Sequence, residues 1–219
     1  MKAIILSAGK GERFGSITKT LPKPLIQLGK MTLIEHNILL LKKHGFLELI
    51  INVSYLSSMI IDFIGNGEKY GINITYSVEN KGPLETGGGI HNALSFLGGS
   101  PFLVINSDIY TNCKLSSIKI DQNDNGVLVM VENPTHNLNG DFSCSNGRVI
   151  SGDANKMTYA GISILNPIIF ENFKLGKYKL IDVLINEINK NKISAFTHDG
   201  IWCDVGDIEK LENAKKLLP

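Results

Sequence analysis

The first two dozen residues constrain this chain more than any other stretch. Ala3–Leu6 is a run of four aliphatic residues, which predicts a strand covered on both faces. Three glycines and four cations come after it: Gly9, Gly11, Gly15, Lys10, Arg13, Lys19 and Lys23. Glycines let the backbone approach an anion closely, and backbone N–H groups can surround that anion. Cations neutralise phosphate charge, and the guanidinium of Arg13 can hold two oxygens at once. The stretch therefore predicts a phosphate-binding loop at the carboxyl end of the first strand.

Two other glycine-loop patterns do not match this stretch. A dinucleotide-binding fingerprint needs a third glycine where Phe14 stands, and an acid at the end of the second strand, near which Asn52 lies. A P-loop needs a lysine and a hydroxyl residue after its last glycine, whereas Gly9 and Lys10 are followed by Gly11. An ordinary glycine-rich turn with surface lysines is the alternative to a phosphate-binding loop.

Length and composition are those of one globular domain that binds neither nucleic acid nor membrane. The chain has 219 residues, 43% hydrophobic and 20% charged, with a formal net charge of +1. That length supports one sizeable core, and a near-neutral chain has no basic field for nucleic acid. Cys113, Cys144 and Cys203 form no metal or disulfide pattern, which favours a reducing compartment. The first apolar run is too short for a signal sequence, and no run is long enough to cross a membrane, so we expect a cytoplasmic protein.

The first half of the chain alternates strands and helices. A helix is predicted over 33–44, with Thr32 and Glu35 as a capping box and Gly45 at its end. Strands are predicted over 47–53 and 73–78, and a second helix over 55–64. Units of this kind form parallel sheets with right-handed crossovers. We therefore expect an α/β, Rossmann-like fold with a mixed, mainly parallel sheet flanked by helices.

A glycine-rich segment opens the next predicted helix. Gly87, Gly88 and Gly89 precede a helical apolar pattern, and Thr86 is the predicted N-cap residue. Each glycine in a helical turn costs up to about 1 kcal/mol relative to alanine, so something else must favour glycine here. We expect close approach of a ligand's ring or ribose to this backbone, with a flexible loop as the alternative.

Asp108 lies just beyond the next buried strand, which is predicted over 101–106. Ligands bind at the carboxyl edge of parallel sheets. Mg²⁺ takes one or two carboxylates together with phosphate oxygens and water. We therefore predict that Asp108 binds Mg²⁺, the alternative being a residue that caps a helix or forms a turn.

The second half has shorter strands and becomes β-rich. Strands are predicted over 126–132, 140–145, 148–151, 158–165 and 193–197. Helices are predicted over 168–173, 179–189 and 208–217. Asn146 and Gly147 lie between two of the strands and predict a hairpin. We expect a smaller, mixed β part here. The histidines show no ligand spacing, and we assign none of them a catalytic role.

Two motifs of the opening stretch together resemble the signature of the sugar-1-phosphate nucleotidyltransferases. The pattern A-G-x-G-x-R lies at 8–13, and P-K-P-L lies at 22–25. The resemblance implies the fold of nucleotide-diphospho-sugar transferases, with the loop holding a nucleoside triphosphate and Lys23 contacting phosphate. The prolines on both sides of Lys23 restrict where its ammonium points. Gly15 and Ser16 stand where relatives often have proline and leucine, which indicates a looser loop.

Further motifs extend the resemblance over essentially the whole chain. P-L-E-T-G-G at 83–88 matches the base- and ribose-contacting loop of the family. S-D at 107–108 and W-x-D-x-G at 202–206 match its two metal-binding motifs, the first often G-D in relatives. G-D-F at 140–142 and Y-A-G-I-S at 159–163 match the sugar side.

The resemblance assigns roles to individual residues. Nucleotide contacts are implied for Ala8, Gly9, Gly11, Glu12, Arg13, Lys23, Glu85, Thr86, Gly87 and Asn106. Arg13 and Lys23 are expected to offset charge on the triphosphate as pyrophosphate leaves, and Asp108 and Asp204 to hold Mg²⁺. Gly140, Asp153 and Gly161 are expected in the sugar pocket, although Asp153 suits a turn equally well. Cys203 alternates with Asp204 along the strand, so its side chain should point away from the metal and be structural.

The P-L-E-T-G-G-G and G-D-F motifs resemble one branch of the family in particular. That branch transfers a uridylyl group from UTP to N-acetylmuramate α-1-phosphate, releasing pyrophosphate, in peptidoglycan recycling. Heptose-phosphate guanylyltransferases carry a similar loop, so the base stays open. The alternatives are a heptose or hexose 1-phosphate with GTP, CTP or dTTP, and a non-catalytic nucleotide-sugar-sensing module. Intact Lys23, Asp108 and Asp204 argue against the module.

The expected organisation is one nucleotidyltransferase domain over 1–219. Its nucleotide-binding half covers 1–110 and its sugar-binding half covers 111–219. We expect no C-terminal extension of the kind that longer relatives carry. The expected partners are the two small-molecule substrates, and the oligomeric state is left open.

Overall fold

A computed structural model describes residues 1–218 as alternating strands and helices. The strands are β1 Ala3–Leu6, β2 Gln27–Leu28, β3 Met31–Thr32, β4 Glu48–Val53, β5 Asn73–Val78, β6 Phe102–Asn106, β7 Ile109–Thr111, β8 Gly126–Val131, β9 Phe142–Ser145, β10 Arg148–Ile150, β11 Lys156–Leu165, β12 Ile193–Thr197 and β13 Trp202–Asp204. The α-helices are α1 Leu33–Lys43, α2 Ser57–Ile64, α3 Glu85–Leu97, α4 Leu180–Asn189 and α5 Ile208–Lys215. Within this range no helix combines the length and apolar character needed to cross a membrane.

One sheet of nine strands runs through the molecule in the order β5-β4-β1-β6-β11-β8-β12-β10-β9. Neighbours among β5, β4, β1 and β6 are parallel. Beyond them β11 is antiparallel to β6, and β12 is parallel to β8 but antiparallel to β10. The predicted mixed α/β sheet is confirmed, with its parallel part in the first half of the chain. The chain moves from β1 outward to β4 and β5, and then returns to the other side of β1 with β6. Ligands bind where strand order reverses in this way.

The sheet is covered on both faces, as its unbroken apolar strands require. Ile5 packs in one core cluster with α1 and α2, whereas Ile4 packs in another with α3 and α4. Neighbouring strands keep this alternation in register, since Ile4 is opposite Ile50 and Ile5 is opposite Ile51. The buried strands therefore hold their carboxyl ends in fixed positions at one edge.

A short two-stranded antiparallel sheet lies beside that edge. In it β13 is antiparallel to β7, with Asp204 opposite Ile109. A third apolar cluster joins the first loop to the C-terminal part, with Phe14, Val205 and Leu211 among its buried members. The end of the chain is thereby packed against the loop that follows β1.

Several predicted details are confirmed. Thr32 and Glu35 form the expected capping box at the start of α1. Gly45 has φ +84 directly after that helix. Asn146 and Gly147, with φ +49 and +70, form the turn between β9 and β10, as a type I′ hairpin turn requires.

Three predicted details are wrong. Thr86 is not the N-cap residue of α3, because the helix begins at Glu85 and the Thr86 hydroxyl accepts from Leu180 N at 2.9 Å instead. The helix predicted over 168–173 is a 3-10 turn, Pro167–Phe170. The strand predicted from 140 begins at Phe142, because Gly140 has φ +63 and ends a turn. Periodicity could not reveal these local turns.

Candidate active site

A cleft of about 620 Å³ opens at the carboxyl ends of β1, β4 and β6, which is within the usual size range for small-molecule sites. It contains most of the residues predicted to bind nucleotide: Ala8, Gly9, Gly11, Glu12, Arg13, Lys23, Glu85, Thr86, Asn106 and also Asp108. Ser7, Asn52, Pro83, Lys177 and Gly206 complete much of the remaining wall. The sheet edge thus brings together motifs that are distant in the sequence.

Gly11 joins the first motif of the loop to the second. Its φ is +66, which favours glycine, and a Cβ atom placed on it would lie 2.8 Å from Lys23 Cβ. The Thr18 hydroxyl donates to Gly11 O at 3.0 Å. The loop after β1 and the Lys23 turn are therefore packed directly on each other.

Arg13 lies against the C-terminal motif. A Cβ atom on Gly206 would be 2.9 Å from both Nη1 and Nη2 of Arg13, so only a residue without a side chain leaves room for the guanidinium in this position. A side chain at position 206 would therefore displace the guanidinium, which is exposed at the cleft wall.

Lys23 and Asp108 form an ion pair inside the cleft. Lys23 Nζ lies 2.6 Å from Asp108 Oδ2, and both side chains are mostly buried. The ammonium is also 5.7 Å from the centre of the Phe14 ring, within the range of a cation–π contact. In this arrangement each charged group compensates the other.

Asp204 ends β13 and lies beside Asp108, which directly precedes β7, the strand that pairs with β13. Val205 N donates to Asp108 O at 2.8 Å, which holds the two acidic segments together. Asp204 Oδ2 accepts from Lys210 Nζ at 2.6 Å. Asp204 Oδ1 faces His136 Nε2 at 3.1 Å without hydrogen-bond geometry, and it has no hydrogen-bond partner within residues 1–218.

This pair of carboxylates suits a hard divalent cation. Buried oxygens are normally satisfied, so the unpartnered Asp204 Oδ1 is an acceptor ready for a ligand. Mg²⁺ needs one or two carboxylates and takes its other ligands from phosphate and water. Within residues 1–218 no cluster of three or more acidic, histidine or cysteine side chains is assembled for a metal. A cation here would therefore depend on phosphate oxygens to complete its coordination.

The glycines that open α3 are required by protein contacts. A Cβ atom on Gly87 would lie 2.6 Å from the Tyr178 ring, and one on Gly88 would lie 2.0 Å from Gly176 O. The N–H groups of Gly87 and Gly88 both donate to Tyr178 O at 3.1 Å. The chain around Gly176 fills the space beside Gly88, so protein packing accounts for this glycine, and close approach of a ligand stays a prediction. Gly87 itself is buried behind the cleft wall.

The three residues predicted for the sugar are not in the cleft wall. Gly161 has φ +70 at an irregular point of β11, where a Cβ atom would lie 2.7 Å from Asn106 Nδ2. Gly140 lies in the turn before β9, against Asn133 and Lys156. Asp153 is 94% exposed and pairs with Lys156 Nζ at 2.7 Å. Gly161 therefore backs a cleft residue, whereas Asp153 occupies an outer turn.

Several site residues were not predicted. His136 reaches Asp204 from the loop between β8 and β9, and Lys177 brings a cation to the cleft wall 4.0 Å from Glu85. Neither belongs to a motif, and only the fold brings them to the cleft. Cys203 agrees with its predicted structural role, because burial raises its pKa to about 11 and keeps the thiol protonated near neutral pH.

Comparison with known proteins agrees with this geometry. The sequence model described as "Nucleotidyl transferase" matches residues 2–219. N-acetylmuramate alpha-1-phosphate uridylyltransferase from Neisseria meningitidis serogroup B is 41% identical, over 99% of this chain and 98% of that protein. Mannose-1-phosphate guanyltransferase from Schizosaccharomyces pombe is 31% identical over 94% of this chain, which spans 61% of that longer protein.

The fold is also that of a solved relative. A putative glucose-1-phosphate thymidylyltransferase from Bacillus anthracis, solved in complex with a sucrose, has a TM-score of 0.88 and 21% identity. The alignment covers 99% of this chain and 94% of that one. The family model over residues 2–219 and the 41% identical protein confirm the resemblance inferred from the motifs, and the chain belongs to the nucleotidyl transferase family.

Proposed function

We propose that this member of the sugar-1-phosphate nucleotidyltransferases transfers a uridylyl group from UTP to N-acetylmuramate α-1-phosphate. The products would be UDP-N-acetylmuramate and pyrophosphate. The observation that carries the proposal is the 41% identity to a uridylyltransferase of that name along almost the full length of both chains. Such a reaction would serve peptidoglycan recycling in the cytoplasm, where nucleoside triphosphates are available.

The proposed chemistry needs positioning and charge compensation more than proton transfer. A phosphate oxygen of the sugar phosphate attacks the α-phosphorus of the triphosphate in line, and pyrophosphate leaves. The attacking phosphate is already anionic, so no general base is required. Catalysis of this type rests on orientation and electrostatic stabilisation.

Arg13 and Lys23 supply the positive charge in this proposal. Arg13 lies at the cleft wall next to Gly206, and Lys23 enters the cleft from a turn between two prolines. Lys23 leaves Asp108 and contacts the triphosphate when the nucleotide binds. Its charge then offsets the charge that develops on the departing pyrophosphate.

Asp108 and Asp204 would hold Mg²⁺ in the proposed complex. When bound, the cation supplies Lewis-acid stabilisation of phosphate oxygens. The unpartnered Asp204 Oδ1 and the strand pairing beside Asp108 support this role. Lys210 fixes the other oxygen of Asp204 through a 2.6 Å contact, so the free oxygen keeps a defined direction.

The sugar side of the proposed complex lies toward the loop between β8 and β9. Asn137 Nδ2 donates to Asp141 and Thr158, and Asn133 Nδ2 donates to Lys156 O. These contacts hold the loop from which His136 reaches Asp204. Asp153 remains a candidate for sugar binding only if its outer turn moves inward.

A panel of substrates tests this function. Purified protein with Mg²⁺ is mixed with UTP, GTP, CTP or dTTP and with N-acetylmuramate, heptose or hexose 1-phosphates, and pyrophosphate release is measured. We expect release with UTP and N-acetylmuramate α-1-phosphate, no turnover after chelation by EDTA, and recovery when Mg²⁺ is restored. Pyrophosphate release only with another substrate pair would refute the uridylyl assignment. No release with any pair would refute the proposal that the protein catalyses nucleotidyl transfer.

A second candidate is a guanylyltransferase acting on a different sugar 1-phosphate. The 31% identity to a mannose-1-phosphate guanyltransferase favours it. The same panel separates the two candidates, because the GTP arm with mannose or heptose 1-phosphate gives pyrophosphate only in the second case. A non-catalytic sensing module would bind nucleotide in the panel without releasing pyrophosphate.

A further inference from the structure

A buried carboxylate without a cation lies directly behind the nucleotide side of the cleft. Glu79 follows β5 and is 4% exposed, and Asn52 in β4 is 2% exposed. Asn52 Nδ2 donates to Glu79 Oε1 at 2.7 Å. Within residues 1–218 no ion pair includes Glu79, so its oxygens depend on neutral donors. Buried carboxylates are normally paired, and the proposed chemistry gives this one no role.

Two backbone N–H groups end the chain of hydrogen bonds that contains Asn52 and Glu79. Ser7 N donates to Asn52 Oδ1 at 2.7 Å, and Leu84 N donates to Glu79 Oε2 at 2.8 Å. We call these four groups the Asn52–Glu79 relay. It joins the first residue after β1 to the residue before α3, through the ends of β4 and β5.

The direction of every hydrogen bond in the relay is determined by its ends. A backbone N–H can only donate, so Ser7 requires the amide oxygen of Asn52, and the Asn52 NH₂ group must then face Glu79. Leu84 N requires the other Glu79 oxygen. Glu79 therefore accepts at both oxygens, which an ionised carboxylate does and a primary amide does not.

Both ends of the relay lie at the cleft. Ser7 begins the phosphate-binding loop, and Leu84 lies between Pro83 and Glu85, which both line the cleft. Gly89 leaves the space that the relay needs, since a Cβ atom there would lie 2.6 Å from Asn52 Nδ2 and 2.7 Å from Glu79 Oε1. The third glycine of the G-G-G motif is thus explained by the relay.

We propose that the Asn52–Glu79 relay positions the phosphate-binding loop relative to the segment that precedes α3, and that nucleotide affinity depends on its hydrogen-bond polarity. The proposal rests on the proposed function for the identity of the ligand. Asn52 and Glu79 act through Ser7 and Leu84, and they are positioning residues. Two loops that are already held at the right separation bind the two ends of a nucleotide with a smaller loss of conformational entropy.

Exchanging the amide and the carboxylate gives a sharp test. In the wild type each Glu79 oxygen accepts from an N–H group. Glu79→Gln replaces one of these oxygens with an NH₂ group, which then faces another donor. Asn52→Asp places two carboxylates face to face across 2.7 Å. The double variant Asn52→Asp/Glu79→Gln restores an acceptor for Ser7 N, an acceptor for Leu84 N and one amide-to-carboxylate hydrogen bond between them. It also keeps the net charge and nearly the same volume.

The measurements are UTP affinity by calorimetry, with GTP as a second nucleotide probe, and KM for each substrate. We expect each single variant to weaken nucleotide binding by roughly tenfold, equivalent to about 1.4 kcal/mol, and to raise KM for the nucleotide but not for the sugar phosphate. The double variant should bind within about threefold of the wild type, since mutually dependent residues give non-additive effects. Glu68→Gln, the same change at an exposed carboxylate beyond the opposite end of β5, should bind as the wild type does.

Amide hydrogen exchange of Ser7 and Leu84, followed by NMR, reports on the relay independently of turnover. Protection of both N–H groups should fall in the single variants and return in the double variant. Single variants that bind nucleotide as tightly as the wild type would overturn the proposal. A double variant that binds nucleotide no more tightly than the weaker single variant would overturn it as well. The same holds for a double variant that does not fold when a single variant does not fold. Nucleotide binding that follows the expected pattern without pyrophosphate release from any substrate pair would refute the proposed function and leave the relay supported.

Discussion

Lys23 Nζ lies 2.6 Å from Asp108 Oδ2, although the two residues are 85 positions apart in the sequence. In the proposed complex the ammonium would contact phosphate and the carboxylate would hold the cation. The ion pair therefore neutralises both charges in the ligand-free cleft. In the proposed complex, ligand binding would exchange this ion pair for two protein–ligand contacts, so removal of either charge should affect the bound state more than the fold.

The first prediction concerns the two acidic residues. Asp108→Asn and Asp204→Asn should each reduce turnover by at least about a hundredfold, since charge stabilisation through a bound metal is worth several kcal/mol. Asparagine keeps the shape of each side chain, so circular dichroism and thermal unfolding should stay close to those of the wild type. The rate of pyrophosphate release is the measurement.

Asp62→Asn is the matched control for these variants, because Asp62 is exposed on α2 and lies outside the cleft. Its turnover should equal that of the wild type. Full activity in Asp108→Asn or Asp204→Asn would remove that residue from the proposed metal site.

The second prediction concerns the contact between Gly206 and Arg13. Gly206→Ala places a methyl group 2.9 Å from both guanidinium nitrogens, and the flexible Arg13 side chain moves away more easily than the backbone does. We expect kcat to fall by roughly tenfold to a hundredfold, since a displacement on the order of 1 Å can cost about a hundredfold in rate. The melting temperature should change little, which differential scanning calorimetry would measure alongside turnover. An unchanged kcat would show that the position of Arg13 does not matter for the reaction.

The parts of the site that could be predicted from the sequence are local. The strand, the glycines and Arg13 lie within one short stretch, and Lys23 lies between two prolines, so their geometry follows from neighbouring residues. Asp108 was predictable because it follows directly after a buried strand. The alternation of strands and helices likewise indicated the parallel half of the sheet.

The parts that could not be predicted depend on contacts between distant segments. His136 and Lys177 reach the site from separate loops, and Glu79 meets Asn52 only because β4 and β5 are neighbours in the sheet. The three consecutive glycines around Gly88 predict a ligand contact, because the sequence does not show that Gly176 packs against Gly88. In the sequence Asn52 marks only a departure from a dinucleotide-binding pattern, and no local pattern indicates its hydrogen bonds to Ser7 and Glu79.

The third prediction tests the packing explanation for Gly88. A Cβ atom on Gly88 would lie 2.0 Å from the backbone oxygen of Gly176. The contact is with backbone, so the clash can be relieved only by a shift of the chain at Gly88 or at Gly176. Gly88→Ala should therefore destabilise the fold by about 1–3 kcal/mol, the usual cost of overpacking. In a chain of this length each kcal/mol lowers the melting temperature by roughly 2–4 °C. Thermal unfolding without any ligand is the measurement.

Gly99→Ala is the control for Gly88→Ala, because Gly99 has open space around its Cβ position and no positive φ. The melting temperature of the Gly99→Ala variant should stay near that of the wild type. If Gly88→Ala left stability unchanged and weakened only nucleotide binding, a ligand would explain the glycine after all.

The fourth prediction is a pH dependence of stability from Glu79. Burial raises the pKa of the Glu79 carboxyl, and the hydrogen bonds from Leu84 and Asn52 only partly oppose that rise. The folded chain therefore holds this proton more tightly than the unfolded chain, in which the pKa is near its ordinary value of 4.5. The resulting contribution to stability is fully present below the unfolded pKa and is lost as pH rises through the folded pKa.

Glu79→Gln removes the titration, so the free energy of unfolding of the wild type minus that of the variant should decrease as pH rises through this window. Denaturant unfolding of both proteins, with Glu68→Gln beside them, measures that difference, and parallel curves for the wild type and Glu79→Gln across the window would contradict the raised pKa.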